Sequence, residues 1–160
     1  MATTPVDLVM LVDDNDTDNF INKRIIELTS FASRIEIKNS GKSALEYLQA
    51  EQGNDDKLPE LIFLDINMPI VDGFVFLYEF EQYPQNIKDK CKIVILSSSD
   101  NKRDIDKIVN NDFVIKFITK PLTEKALEEV KELLASWQVN SKIYLKLIKL
   151  NTCLISFFYV

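Results

Sequence analysis

The 160-residue sequence predicts an α/β domain built on a doubly wound, five-stranded parallel sheet with helices on both faces. Two observations predict this fold. Short apolar runs rich in β-branched residues alternate along the chain with segments whose apolar residues recur at helical spacing. Most of these runs are nearly continuous, which is typical of strands covered by helices on both faces of a parallel sheet. The crossover connections between such strands are expected to be right-handed.

The first part of the chain contains two predicted strands, each followed by a predicted helix. Val6–Val12 is a nearly continuous apolar run and indicates a buried strand. Residues 16–31 place isoleucine and leucine at helical spacing, which predicts the first helix. Arg34–Lys38 alternates polar and apolar residues, as a strand with one face in water does. Ser43–Gln52 is a short amphipathic segment and predicts the second helix.

The middle of the chain repeats this pattern with more strongly apolar strands. Leu61–Leu64 is a second buried strand. Pro69 and Gly73 then mark a turn, and the aromatic-rich segment 74–82 predicts the third helix. Lys92–Leu96 is a further apolar run and predicts the fourth strand.

The last predicted elements are a helix, a strand and a longer helix. Residues 101–110 place their apolar side chains on one helical face, and Val114–Ile118 predicts the fifth strand. From Thr123 to Trp137, apolar residues recur at the spacing of an amphipathic helix. The predicted domain therefore covers residues 1–137.

Residues 138–160 form an extension of different character, with three lysines and no acidic residue. Their apolar residues suit a strand and a helix equally well, so that periodicity does not decide between the two. The apolar end, residues 153–160, is too short to span a bilayer, which takes about 20 residues. We expect the extension to fold back on the domain or to mediate self-association, as in a homodimer, because its apolar surface is too large to leave in water. The alternative is a frayed segment, as chain ends often are.

The residue types that are absent exclude several classes of active site. The sequence has no histidine, which excludes a Ser-His-Asp triad and a histidine-based zinc site. Its three glycines are too widely spaced for a dinucleotide-binding turn or a P-loop. The net charge of −6 argues against a broad basic face, so no nucleic-acid partner is expected. Two cysteines and an N-terminus without a secretory signal predict a reducing compartment, the cytoplasm.

Polar side chains follow four of the predicted strands at their carboxyl ends. They are Asp13 and Asp14 after the first strand, Asp65 after the third, Ser97 after the fourth and Lys120 after the fifth. In a doubly wound sheet, ligands bind at this edge, near the point where the strand order reverses. Three carboxylates would repel one another, and Mg²⁺, which prefers oxygen ligands, would remove that repulsion. With a hydroxyl and an ammonium group nearby, the cluster suits transfer of a phosphoryl group to a carboxylate.

Four short motifs carry this chemistry. They are Asp13-Asp14, the run L-D-I-N-M-P-I-V-D-G at 64–73, Ser97 in I-L-S-S-S, and Lys120-Pro121 in F-I-T-K-P-L. Over about residues 6–137, the chain resembles the receiver domain of two-component response regulators, and more closely the free-standing receivers than those fused to a DNA-binding domain. The resemblance implies a flavodoxin-like fold and a role in signalling.

The resemblance also implies a role for each residue of the site. Asp65 corresponds to the aspartate that accepts the phosphoryl group. The implied ligands of Mg²⁺ are Asp13, Asp14, Asp65 and the backbone carbonyl of Asn67. Ser97 would donate a hydrogen bond to one phosphoryl oxygen, and Lys120 would pair with another.

Further positions correspond to those that switch a receiver and set the lifetime of its phosphorylated form. Ser97 and Phe117 stand at the switch positions. Asn67 and Ser99 stand where receivers tune the lifetime of the phosphoryl group. The peptide bond before Pro121 would be cis, a geometry that proteins adopt almost exclusively before proline.

The resulting hypothesis is a response regulator and not an enzyme. A histidine kinase or phosphotransfer protein would phosphorylate Asp65, and the output would be binding to an unknown downstream protein. The alternative is a phosphatase of the haloacid-dehalogenase type, which also forms an aspartyl phosphate beside Mg²⁺. Such a phosphatase needs a second aspartate as general acid, where this sequence has Asn67. A receiver-like module that is never phosphorylated is the third hypothesis, and the complete acidic pocket argues against it.

Overall fold

The computed structural model describes residues 6–98, 106, 108 and 111–139. Its centre is a sheet of five parallel strands in the order β2-β1-β3-β4-β5. The strands are β1 (Val6–Val12), β2 (Ala32–Lys38), β3 (Leu61–Asp65), β4 (Lys92–Ser97) and β5 (Val114–Thr119). All the predicted strands are present with small differences at their ends, and the predicted fold class is confirmed.

Helices connect these strands. In the described part of the chain they are α1 (Asp16–Leu28), α2 (Gly41–Ala50), α3 (Gly73–Glu81) and α4 (Gln85–Lys90). A 3₁₀ turn, Asp55–Lys57, lies in the loop before β3. Asp106 and Ile108 are helical, and the other residues of the predicted helix 101–110 lie outside the described residues. A C-terminal helix covers residues 124–139. None of the described helices combines the length and apolar character that crossing a bilayer requires.

The chain divides into two compact units, residues 1–127 and 128–160. The described part of the second unit, residues 128–139, is helical throughout. The expected domain boundary after Trp137 and the expected behaviour of the extension stay predictions, because residues 140–160 lie outside the described part of the chain.

Local side-chain and backbone geometry sets the helix ends. Asn15, Ser40 and Asp72 precede α1, α2 and α3, and each side chain accepts a hydrogen bond from a backbone N–H of the first turn. The first helix ends at Leu28, earlier than the predicted end at residue 31. Ser30 has a φ of 50°, in the left-handed region, and this turns the chain out of the helix.

One face of the sheet packs against α2 and α3. Its strand residues include Met10, Ile62 and Ile93, which belong to a single buried apolar cluster. Leu48 of α2 and Phe76 of α3 are fully buried in the same cluster. Burial of apolar surface of this extent is the dominant stabilising contribution to such a domain.

The opposite face of the sheet is covered as well. Successive side chains of a strand point to opposite faces, and the alternate residues of β1, β3 and β4 are also buried. Ile26 of α1 is fully buried, and the ring of Phe31, which follows α1, lies 6.3 Å from the ring of Phe63 in β3. Helices therefore cover both faces, as the sequence predicts.

The strand register brings the predicted site residues to one edge of the sheet. Asp65, the last residue of β3, lies opposite Leu96 of β4. Ser97, the last residue of β4, lies opposite Thr119 of β5, which directly precedes Lys120. The strand order reverses between β1 and β3, where ligands of doubly wound sheets bind.

The turn between β3 and α3 has no room for a side chain at Gly73. A Cβ atom there would lie 2.7 Å from the Cα of Ile66 and 3.2 Å from the carbonyl oxygen of Asp65. Because these neighbours are backbone atoms, we expect Gly73→Ala to lower the free energy of unfolding by about 1–3 kcal/mol. Gly53→Ala is the control, since nothing lies within 4 Å of its Cβ position. Urea unfolding of both variants measures the difference, and equal midpoints would contradict the prediction.

Candidate functional site

Three carboxylates converge at the carboxyl edge of the sheet. Asp13 and Asp14 follow β1, Asp65 ends β3, and carboxylate oxygens of all three lie within 4.8 Å of one another. Asp13 and Asp65 are buried, whereas Asp14 is exposed. The structure thus brings together the carboxylates that the sequence predicts to meet.

Hydrogen bonds around Asp13 hold the loop after β1 in place. The backbone N–H of Asp13 donates to the carbonyl of Lys38 at 3.1 Å, which extends the pairing of β1 and β2. The backbone N–H of Asn15 donates to Asp13 Oδ1 at 2.9 Å. The side-chain amide of Asn19, a buried residue of α1, donates to the carbonyl of Asp13 at 2.8 Å. The bond from Asn15 orients the Asp13 carboxylate, and the other two bonds hold the backbone of Asp13.

The ammonium group of Lys120 lies among the carboxylates. Its Nζ donates to Asp13 Oδ2 at 2.6 Å and to Asp18 Oδ2 at 2.8 Å, and it lies 3.5 Å from Asp65 Oδ2. Burial acts to lower the pKa of Lys120, but the hydrogen bonds with the first two carboxylates and the charge of the third outweigh it. The pKa therefore lies above its usual value, and Lys120 stays charged.

Asp65 is the buried carboxylate that faces Lys120 from the end of β3. Burial raises its pKa above the usual value, and the attraction of the Lys120 ammonium opposes this effect only in part. The backbone N–H of Asn67 donates to Asp65 Oδ1 at 3.3 Å. The carboxylate is therefore oriented from both sides but poorly solvated, which makes its charge costly without further compensation.

The end of β4 joins Ser97 to two other residues of the site. Ser97 is fully buried, and the side-chain amide of Asn67 donates to its Oγ at 3.4 Å. The carbonyl of Ser97 accepts the backbone N–H of Lys120 at 2.9 Å. The peptide bond between Lys120 and Pro121 is cis, as the resemblance implies.

The remaining predicted residues differ in what the structure describes. Phe117 lies in β5 opposite Ile95 and packs, half-buried, against the apolar cluster between the sheet and α2 and α3. Ser99 lies outside the described residues. Their predicted roles in switching and in setting the lifetime stay predictions.

Asp18 is a site residue that the sequence reasoning did not identify. It lies in the first turn of α1, and its carboxylate reaches Lys120 at 2.8 Å. The signal in the sequence was its position three residues after Asn15, the residue that caps α1. A carboxylate there is common because it favours the helix dipole, so the spacing alone did not indicate a functional role.

The residues present fit a divalent cation. Asp13, Asp14 and Asp65 supply oxygen donors, which hard cations prefer, and the exposure of Asp14 leaves the cluster open to solvent. Lys120 faces three carboxylates, so a cation would relieve repulsion that one ammonium group leaves in place.

Comparison with known proteins identifies the family. The model of the response regulator receiver domain matches residues 9–132. The probable methanogenesis regulatory protein FilR2 of Methanothrix harundinacea is 30% identical over 134 residues, which cover 81% of this chain and 84% of that protein.

Solved structures agree with the sequence comparison. The two component response regulator from Cytophaga hutchinsonii is 34% identical, with a TM-score of 0.78, over 83% of this chain and 99% of that one. The Mn²⁺-bound form of response regulator Rcp1 is 26% identical, with a TM-score of 0.60, over 82% of this chain and 94% of that one. Rcp1 of Synechocystis matches in sequence too, at 30% identity over 105 residues, or 64% of this chain and 69% of that protein.

These findings do not support the alternative of a haloacid-dehalogenase-type phosphatase. That reaction would need an acid at position 67, and the amide of Asn67 instead donates a hydrogen bond to Ser97. Both the family model and the relatives point to a phospho-accepting signalling domain. The chain belongs to the response regulator receiver domain family and is a two-component response regulator.

Proposed function

We propose that Asp65 accepts a phosphoryl group from the phosphohistidine of a histidine kinase or phosphotransfer protein in a Mg²⁺-dependent reaction. The observation that carries this proposal is the position of the Asp65 carboxylate, buried at the end of β3 beside the carboxylate of Asp13 and 3.5 Å from the ammonium of Lys120. An oxygen of Asp65 bonds to phosphorus while the bond between phosphorus and the imidazole nitrogen breaks. The imidazole takes up a proton, and the product is an aspartyl phosphate.

The acidic cluster, formed by Asp13, Asp14 and Asp65, would hold Mg²⁺. The ligands of Mg²⁺ would be the carboxylates of these three residues and the backbone carbonyl of Asn67. When bound, Mg²⁺ neutralises negative charge on the carboxylates and on the phosphoryl oxygens. The loop bonds around Asp13 keep its carboxylate in place before the cation arrives.

Lys120 and Ser97 would bind the phosphoryl oxygens. The Lys120 ammonium already lies 3.5 Å from Asp65 Oδ2, so a phosphoryl group on that residue meets a cation without a large movement. The Ser97 hydroxyl lies at the end of the neighbouring strand and is held by Asn67. When the Ser97 hydroxyl turns to the phosphoryl group, it exchanges its bond with Asn67 for a bond with a phosphoryl oxygen. This exchange supports a role of Asn67, together with Ser99, in setting the lifetime of the phosphoryl group.

The output is proposed to be a change in protein binding. Phe117 is half-buried in β5, two positions before the carboxyl end of that strand, and can rotate inward when Ser97 moves. The phosphoryl group shifts the populations only by its differential affinity for the two states.

The free Cys91 thiol is buried inside the domain and supports the proposed cytoplasmic location, where thiols stay reduced.

Incubation with acetyl phosphate and Mg²⁺, followed by intact mass spectrometry, tests the proposed function. We expect the mass of one phosphoryl group to be added, and peptide mapping to place it on Asp65. Omission of Mg²⁺ or addition of a chelator is the control and should prevent the change. No added mass under saturating acetyl phosphate would contradict the proposal.

Mg²⁺ should also stabilise the folded protein, because the unfolded chain does not gather the three carboxylates. At a concentration of about 100 times the Kd, the expected gain is about 2.7 kcal/mol, seen as a rise in Tm. Asp14→Ala should remove most of that gain. Asp16→Ala is the matched control, since Asp16 lies in the first turn of α1 outside the cluster and accepts a bond from Asn39. A Tm that does not respond to millimolar Mg²⁺ would exclude the metal site.

The extension of residues 138–160 is proposed to self-associate or to fold back on the domain. A chain ended after Trp137 should take up the phosphoryl group at the rate of the full chain, and it should elute as a smaller species in size exclusion. Loss of phosphorylation in a truncated chain that stays folded would instead assign the extension to the active site.

A further inference from the structure

The carboxylate of Asp18 lies next to the proposed phosphorylation site but is not one of the three carboxylates of the acidic cluster. It accepts a hydrogen bond from Lys120 Nζ at 2.8 Å, whereas the oxygens that gather within 4.8 Å come from Asp13, Asp14 and Asp65. We propose that Asp18 is a positioning residue that acts through Lys120: it holds the ammonium group in the orientation that meets the phosphoryl group. This inference rests on the proposed function.

The three donors of the Lys120 ammonium face three carboxylates. Asp13 is the nearest at 2.6 Å, Asp18 lies at 2.8 Å, and Asp65 lies at 3.5 Å. Asp13 is a proposed metal ligand, and Asp65 is the proposed acceptor. Asp18 is therefore the one of these three partners whose carboxylate has no other proposed duty, so that it can keep its bond to Lys120 while the other two change theirs.

The start of α1 fixes Asp18 in place. The side chain of Asn15 accepts the backbone N–H of Asp18 at 3.2 Å, and the helix dipole favours a carboxylate in this turn. The side chain of Asp18 is 33% exposed, whereas those of Asp13 and Asp65 are almost fully buried. Asp18 thus holds the ammonium from the solvent side. Without it, the long lysine side chain would have additional rotamers available.

The decisive variant is Asp18→Asn, which keeps the shape of the side chain and removes its charge. With acetyl phosphate and saturating Mg²⁺, we expect the phosphorylation rate to fall about tenfold, because a displaced catalytic group costs rate steeply. The Kd for Mg²⁺, measured by calorimetry, should stay within about twofold, because Asp18 is not among the proposed ligands. Asp16→Asn is the matched control in the same helical turn and should leave both quantities unchanged.

A second measurement does not depend on phosphorylation. In ¹⁵N-labelled protein, the Lys120 ammonium should give a protected NMR signal in the wild type and in Asp16→Asn. In Asp18→Asn the signal should shift or be lost through exchange with water.

Lys120→Arg should weaken the effect of Asp18→Asn on the phosphorylation rate, since the effects of residues that act as one unit are not additive.

Several results would overturn the inference. Equal losses of rate in Asp16→Asn and Asp18→Asn would show a general effect of charge at the helix start. An unchanged Lys120 signal in Asp18→Asn would show that Asp18 does not position the ammonium group. If the wild type takes up no phosphoryl group at all, the proposed function fails, whereas the NMR comparison still decides whether Asp18 orders Lys120.

Discussion

Asp65→Asn should take up no phosphoryl group from acetyl phosphate or from a phosphorylated donor, while the fold stays intact. The substitution keeps the shape of the side chain, but an amide oxygen is too weak a nucleophile to form the acyl phosphate. The residue sits at the end of β3 with its backbone paired to β4, so the strand has no reason to move. Intact mass spectrometry measures the uptake, and circular dichroism verifies the fold.

The same variant should be more stable than the wild type in metal-free buffer at neutral pH. Burial raises the pKa of the Asp65 carboxyl, which means that the charged form is less favourable in the folded state than in the unfolded chain. The charge therefore reduces stability above the raised pKa. As the pH falls through that pKa and below the ordinary carboxyl value of 3.8, the Asp65 carboxyl of the wild type becomes protonated in both the folded and the unfolded state. The higher stability of the variant should then disappear.

A matched control separates the role of Asp65 from that of carboxylates in general. Asp112 is an exposed carboxylate in the turn before β5, and Asp112→Asn should phosphorylate like the wild type. Phosphorylation of Asp65→Asn at the wild-type rate would place the acceptor elsewhere. A lower Tm for Asp65→Asn at neutral pH would show that the pair with Lys120 stabilises the domain more than burial destabilises it.

The fold could be predicted where burial is complete, and less well where it is partial. All residues of β3 and β4 are buried, so their apolar runs mark the strands almost to the residue. None of the residues of β2 is fully buried, Ser33 and Arg34 near its start are exposed, and this strand begins before the predicted Arg34. The six-residue helix α4 buries Ile87 alone, which is too little for a helical period to be visible in the sequence.

The site could be predicted to the extent that it lies on strand ends. Asp13, Asp65, Ser97 and Lys120 meet because parallel strands in register end at one edge, and chain order is enough to infer this. Asp18 lies on a helix, and its approach to the ammonium depends on the direction in which α1 leaves β1. That direction is a property of the packed structure, which one sequence does not show.

Lys120→Met should cause the largest loss of stability among single substitutions at the site. Methionine is also long and unbranched, so it fills a similar volume, but the ammonium that faces three carboxylates is gone. The side chains of Asp13 and Asp65 are 4% and 6% exposed, so water cannot take over this compensation. Removal of one partner from a buried ion pair typically costs 3–5 kcal/mol, and we expect a loss of about 3 kcal/mol without metal at neutral pH.

Recovery of that loss identifies its cause. Mg²⁺ should restore much of the stability of Lys120→Met, because it supplies positive charge to the same carboxylates. The double variant Lys120→Met with Asp65→Asn should also recover part of the lost stability, since one buried charge is then removed.

The control is Lys125→Met, which replaces an exposed lysine of the C-terminal helix and should stay within about 0.5 kcal/mol of the wild type. Urea unfolding measures all four proteins. If Lys120→Met and Lys125→Met unfold at the same urea concentration, Lys120 does not hold the acidic cluster together, and the repulsion between its carboxylates must be relieved in another way.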